Sequence, residues 1–245
     1  MMNRNIKIVF LHGFPLTHKM WKEQFYFQDK YNVQFPDLPG AGQFSKETVF
    51  TVEDMADRVI ESLADYEKIV PVGLSMGGYV AMRIADRIPE RLAGLVLMDT
   101  RAEADPNPVK LKRAGTVKFI RENGADPFLK MFIPDMCSES TRRNQSLMDF
   151  LFSIAAENTA EGLSSQVIAL QGRMDSEALL SKIGVPTLVL AGAQDLITPK
   201  EGMKLMSDKI PGSEFHIIEN AGHLSPIERP DIVNPILEKF LGKFF

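Results

Sequence analysis

The chain reads as an α/β fold: a parallel sheet with helices on both faces, interrupted by one long helical insertion. Two observations carry this. Short apolar, strand-sized runs alternate with segments of helical periodicity through the first hundred residues and again from about residue 184. Between about 102 and 183 the alternation stops and the pattern becomes helical throughout.

The elements follow in order. Residues 6–11 are an apolar, β-branched run ending at His12-Gly13, and 31–35 are a second run, closed by the turn cluster Pro36-Asp37-Leu38-Pro39-Gly40. Thr51, with Asp54 three residues later, predicts a helix start, because its hydroxyl can take up a free backbone N–H. Val52, Met55, Val59, Ile60 and Leu63 then recur at helical spacing. A third strand is expected over 69–72, a helix over 76–88 stopped by Pro89, and a fourth strand over 95–98. Within the insertion, helices are expected over 110–121, 141–156, 160–171 and 176–181, with Pro106, Pro108, Pro127 and Pro134 breaking its early part. Strands resume over 187–191 and 214–218, with helices over 200–208 and 231–241. Short buried strands separated by helices make a parallel sheet. The expected division is a core of 1–101 and 184–245 with a helical insert of 102–183.

Composition narrows the function classes. The net charge of −4 gives no basic excess for nucleic acid or anionic lipid. Cys137 is the only cysteine, so an intrachain disulfide and a cysteine-rich metal site are excluded. No apolar run approaches the length of a membrane span, and the start lacks a signal-peptide core, so a cytoplasmic setting is expected.

Gly73-Leu74-Ser75-Met76-Gly77 falls between an expected strand and an expected helix. In that context a sharp turn lifts the serine hydroxyl above the sheet, and the helix start behind it favours a forming anion. A serine hydroxyl needs a base. The motif resembles the nucleophile elbow of the α/β hydrolases, and the resemblance implies the chain order serine, acid, histidine. Of the four histidines, His12 and His18 precede Ser75, and His216 lies inside a strand. His223, in the turn Asn220-Ala221-Gly222-His223, is therefore the expected base. Asp195, past the strand over 187–191, is the preferred acid, with Asp99 its competitor and the alternative brace of a neighbouring loop. The oxyanion hole is expected from the N–H groups of Met76 and Phe14. His12 is read as a structural residue bonding its loop backbone, and His18 is given no role.

The family likeness extends over the chain through His12-Gly13-Phe14-Pro15, Asp37-Leu38-Pro39-Gly40-Ala41-Gly42, Gly73 to Gly78, Gly192-Ala193-Gln194-Asp195 and Ala221-Gly222-His223-Leu224-Ser225-Pro226. Within the family the chain is most similar to small carboxylesterases and 3-oxoadipate enol-lactonases. The resemblance implies that 102–183 is a cap over the site. The sequence departs from the family layout in one respect: only five residues precede Ile6, so the family's N-terminal hairpin is expected to be missing, leaving about six strands, all parallel. The implied activity is hydrolysis of a small carboxylic ester or lactone through an acyl-serine, without metal or organic cofactor. A cofactor-free perhydrolase or haloperoxidase-type enzyme and a non-catalytic ligand receptor of the same fold are the alternatives. Phe128, Met131, Phe132, Phe150 and Phe152 either line an apolar substrate site or pack the cap helices together. Arg101 either meets a substrate carboxylate or pairs with Glu103 or Asp105.

Overall fold

The structure, a computed structural model, describes residues 6–245. Among the described residues six strands form one open sheet: β1 (Ile6–Leu11), β2 (Val33–Gln34), β3 (Lys68–Leu74), β4 (Leu95–Met98), β5 (Thr187–Gly192) and β6 (Glu214–Ile218). Their order is β2-β1-β3-β4-β5-β6 and every neighbouring pair is parallel. The expected missing hairpin concerns the start of the chain, where residues 1–5 lie outside the described residues.

Around the sheet run α1 (Val52–Ser62), α2 (Met76–Arg87), α3 (Asn107–Asn123), α4 (Ala125–Met136), α5 (Glu139–Arg142) and α6 (Gln145–Ala155). They are followed by α7 (Ala160–Gly172), α8 (Glu177–Leu180), α9 (Lys200–Asp208), α10 (Ser225–Glu228) and α11 (Pro230–Leu241). None is long and apolar enough to cross a membrane.

Local chemistry explains most boundaries. Thr51 accepts the Asp54 N–H while Asp54 accepts the Thr51 N–H, a reciprocal cap that starts α1. Val52, Met55, Ala56 and Val59 then bury one face. The strands β3, β4 and β5 are flanked on both sides, and all but Lys68 of their residues are buried. That is why they read as continuous apolar runs rather than as alternating ones.

Three expectations need correction. The run over 31–35 pairs with β1 only at Val33 and Gln34. Pro127 and Pro134 do not break the chain but lie within α4. Pro127 falls in the first turn, where no backbone N–H is needed, and Pro134 falls two residues before the end, where one bond is lost. The helix expected over 141–156 is divided at Arg143 and Asn144, and the Asn144 side chain caps α6 through the Leu147 N–H at 3.2 Å. A 3-10 segment, His18–Asp29, also follows the first loop unannounced. It buries Met20, Trp21 and Phe27, and the Phe10 ring meets Trp21 edge-on at 5.1 Å and stacks on Phe27 at 6.1 Å.

Register brings the strand ends together. Leu11 stands opposite Gly73, Leu74 opposite Met98, Met98 opposite Leu190, and Gly192 opposite Ile218. The loops beginning at His12, Ser75, Asp99, Ala193 and Glu219 therefore leave one edge of the sheet side by side, where open parallel sheets hold ligands.

Two of those loops touch through glycine backbone. A Cβ on Gly192 would lie 1.9 Å from the Gly222 carbonyl oxygen, whereas a Cβ on Gly202 in α9 meets nothing within 4 Å. Gly192→Ala should lower the Tm, by overpacking worth roughly 1–3 kcal/mol. Gly202→Ala should raise it, by removing about 0.5–1 kcal/mol of helix-disfavouring entropy. Thermal melts of the two variants check this, and a Gly192→Ala protein as stable as the parent would contradict the packing described.

Candidate active site

Ser75 sits on the turn between β3 and α2 with φ 54° and ψ −113°, a conformation that non-glycine residues rarely adopt. Its surroundings hold it there. Its N–H donates to the Met98 carbonyl at 2.9 Å, and its own carbonyl accepts the Thr100 hydroxyl at 2.8 Å and the Gly78 N–H at 2.9 Å. The glycines follow from crowding: a Cβ on Gly73 would lie 2.3 Å from the Gly77 oxygen, and one on Gly77 would lie 2.0 Å from the Leu11 oxygen.

Three of the expected residues come together across the strand ends. The Ser75 hydroxyl lies 2.8 Å from His223 Nε2, and His223 Nδ1 lies 2.7 Å from Asp195 Oδ2. His223 and Asp195 are buried, while Ser75 is partly open. Asp195 is fixed at both oxygens. Oδ1 accepts the N–H groups of Ile197 and Thr198 at 2.7 and 3.0 Å, and Oδ2 accepts the Thr198 hydroxyl at 2.5 Å. Thr198 escaped the sequence reading, although Asp-x-x-Thr in a loop is a recognisable side-chain turn.

The electrostatics set the protonation states. Burial disfavours a charged His223, but the charge and hydrogen bond of Asp195, with a further contribution from Asp99, outweigh it and raise the imidazole above its usual 6.5. Burial likewise opposes ionisation of Asp195, yet the imidazole and the Thr198 bonds hold its carboxyl below the ordinary 3.8. Asp99 differs. Burial first, and the charge of Asp195 second, push it up to about 8. Its oxygens lie 2.7 Å from the Gly192 nitrogen and 2.5 Å from the Ser225 hydroxyl, so it braces the loops that carry Asp195 and His223. No hydrogen bond joins Asp99 to His223 among the described residues.

The remaining histidines sort by their partners. His12 is buried, with Nδ1 at 3.1 Å from the Gly13 carbonyl and Nε2 accepting the Leu38 N–H at 2.9 Å. Burial lowers it to about 4, so it is a neutral brace between two loops. His18, left without a role by the sequence, bonds Asp37 through both its N–H and its ring, at 2.9 and 2.7 Å. Burial opposes a charged Asp37, but the His18 bonds prevail and its carboxyl falls to about 2. His216 is exposed on the edge strand β6.

Around the serine, the N–H groups of Phe14 and Met76 have no hydrogen-bond acceptor among the described residues. The Phe14 ring packs on Phe128 at 5.9 Å and Phe132 at 5.7 Å, so α4 brings an aromatic wall to the loop after β1. Phe150 does not join it and instead lies under the Lys22 ammonium at 4.0 Å. Met131 is largely exposed. The expected pairing of Arg101 with Glu103 or Asp105 is not formed. Asp105 is taken by Arg113 and Arg173, and Arg101 donates to the Ile197 carbonyl in the Asp195 loop. Among the described residues no cluster of histidine, cysteine, aspartate and glutamate is suited to a metal ion.

Comparison with known proteins agrees with this architecture. Residues 7–230 match the family model of the alpha/beta hydrolase fold. The 3-oxoadipate enol-lactonase 2 of Acinetobacter baylyi is 29% identical over 97% of this chain and 89% of its own length. A pimeloyl-[acyl-carrier protein] methyl ester esterase of Legionella pneumophila is 27% identical over 97% of this chain and 96% of its own. Among solved structures, a thermophilic esterase from Thermogutta terrifontis, determined with malate bound, superposes with a TM-score of 0.90 at 37% identity, covering 99% of this chain and 91% of that one. The relatives support the expectation of a carboxylic ester hydrolase, and the chain belongs to the alpha/beta hydrolase family.

Proposed function

We propose that the protein hydrolyses a small carboxylic ester or lactone through an acyl-serine intermediate. The observation that carries the reading is the unbroken chain from the Ser75 hydroxyl to His223 at 2.8 Å and on to Asp195 at 2.7 Å. His223 takes the hydroxyl proton as Ser75 attacks the carbonyl, and Asp195 fixes the imidazole tautomer and stabilises the imidazolium. The unengaged N–H groups of Phe14 and Met76 receive the oxyanion, each worth roughly 3–4 kcal/mol of barrier. The leaving alcohol takes the proton from His223. Water then attacks the acyl-serine by the same route and frees the acid.

In this reading residues 102–183 form the cap, and Phe128 and Phe132 line an apolar side of the pocket beside Phe14. The relatives named above, an enol-lactonase and two esterases, favour ester and lactone substrates for this chain. Arg101 secures the Asp195 loop through Ile197.

A panel of short p-nitrophenyl esters and lactones, assayed beside Ser75→Ala, tests the reading. Turnover should fall by roughly 10³-fold or more in the variant. Equal turnover in Ser75→Ala would overturn the nucleophile, and peracid formation from peroxide outrunning hydrolysis would replace the hydrolase by a perhydrolase that uses the same serine. The pH profile supplies a second prediction. The base must be neutral, so kcat/KM should fall as pH drops through the His223 pKa, which lies above 6.5. Asp195→Asn should cut kcat by about 10⁴-fold and move the acid limb of its residual activity downward. An unmoved limb would contradict the pairing.

A further inference from the structure

The three amides around His223 are all held, and none by an ordinary turn. Its own N–H donates to the Met136 carbonyl at 2.7 Å. The N–H groups of its neighbours, Gly222 and Leu224, both donate to Oε1 of Glu228, at 2.9 and 3.1 Å. The second oxygen of Glu228 accepts the Ser138 N–H at 2.7 Å. One carboxylate thus spans two separate chain segments. One is the loop that carries His223, and the other is the stretch that ends α4. The contact is close: a Cβ on Gly222 would lie 2.6 Å from the Ser138 nitrogen and 2.7 Å from the Met136 oxygen.

The same stretch reaches the acid. The Glu139 N–H donates to the Gln194 side-chain oxygen at 3.1 Å, one residue before Asp195. The same helix α4 carries Phe128 in its first turn and Phe132 past its middle, and both meet Phe14. One helix of 12 residues therefore carries the aromatic wall along its length and meets the two loops of His223 and Asp195 at its finish.

We propose that Glu228 is a positioning residue that fixes His223 by tying its loop to the end of α4, so that the aromatic wall and the base are held as one unit. The proposal rests on the functional reading above for the meaning of "base", but not for its geometry. A carboxylate suits the role because charge-assisted bonds to backbone N–H groups are stronger than neutral ones. It can also accept at both oxygens, which an amide or a hydroxyl cannot. The consequence for catalysis comes from position: a small displacement of a base from its nucleophile costs up to about 100-fold in rate.

The test uses Glu228→Ala and Glu228→Gln in the full chain. The first readout is the proton NMR signal of His223 Nδ1–H, which the bond to Asp195 moves far downfield in the protonated imidazole. The charged groups that act on this ring are Asp195, Asp99 and Arg101, the hydroxyls of Thr198 and Ser75 touch its two nitrogens, and both variants leave all of them in place. In Glu228→Ala the signal should broaden or move upfield, kcat should fall by roughly 10- to 100-fold, and KM should rise as the wall loosens. Glu228→Gln, whose one oxygen serves one side of the clamp, should fall between Ala and the parent. If either folded variant keeps the parent's downfield signal and kcat, with only the Tm lowered, Glu228 is a structural brace and the proposal is overturned. The NMR signal needs no substrate. A parent that fails to turn over esters therefore counts against the hydrolase reading alone, and an unmoved signal counts against the clamp alone.

Discussion

The close approach of backbone to backbone at the carboxyl edge of the sheet is the constraint on which the rest depends. The loops after β3, β5 and β6 can hold Ser75, Asp195 and His223 within hydrogen-bond reach only if their chains nearly touch. Glycine makes that possible: Gly73 and Gly77 fold the serine turn onto itself and onto β1, Gly192 presses the β5 loop onto the β6 loop, and Gly222 presses that loop onto the end of α4. A side chain at any of these positions would fall within 2.6 Å of backbone, which cannot yield as a flexible side chain does. The left-handed φ of Ser75 belongs to the same arrangement, since the surrounding bonds outweigh the strain of holding it.

Charge is arranged to match. Two carboxyl groups, Asp99 and Asp195, lie buried near one imidazole, and two adjacent buried charges would repel. Asp195 keeps its charge because the Ile197 and Thr198 donors and His223 face it. Asp99, pushed up to about 8 by burial and by the charge of Asp195, acts through its contacts with Gly192 and Ser225. The competing carboxyl of the sequence reading thus becomes a support beneath both loops rather than a partner of the base.

What the sequence made legible follows how local each signal is. The apolar runs of β3 to β5, the Thr51 and Asp54 cap, and the serine turn with its glycines are each written within a few residues, and the structure forms them as expected. The chain order of serine, acid and histidine, with the place of each candidate relative to a strand end, pointed to the three residues that meet, although Asp99 stayed open as the acid. The misses lie where the signal is weak or non-local. Pro127 sits in the tolerant first turn of α4 and Pro134 costs one bond just before its end, so neither stops the helix although both read as breakage. The segment His18–Asp29 is 3-10, with no 3.6-residue period to find. The bonds of His18 to Asp37 and of Ser138 to Glu228 join residues 19 and 90 positions apart, and only the folded chain brings them together.

The central claim is that Ser75, activated by His223, forms a covalent bond to the acyl group of its substrate. Intact-protein mass spectrometry of a reaction quenched in acid within the first turnovers of an activated ester measures this directly. The account predicts an added acyl mass that peptide mapping places on Ser75 and that is absent from His223→Ala under the same conditions. Rapid turnover with no acyl adduct at any time point, or an adduct on another residue, would contradict it.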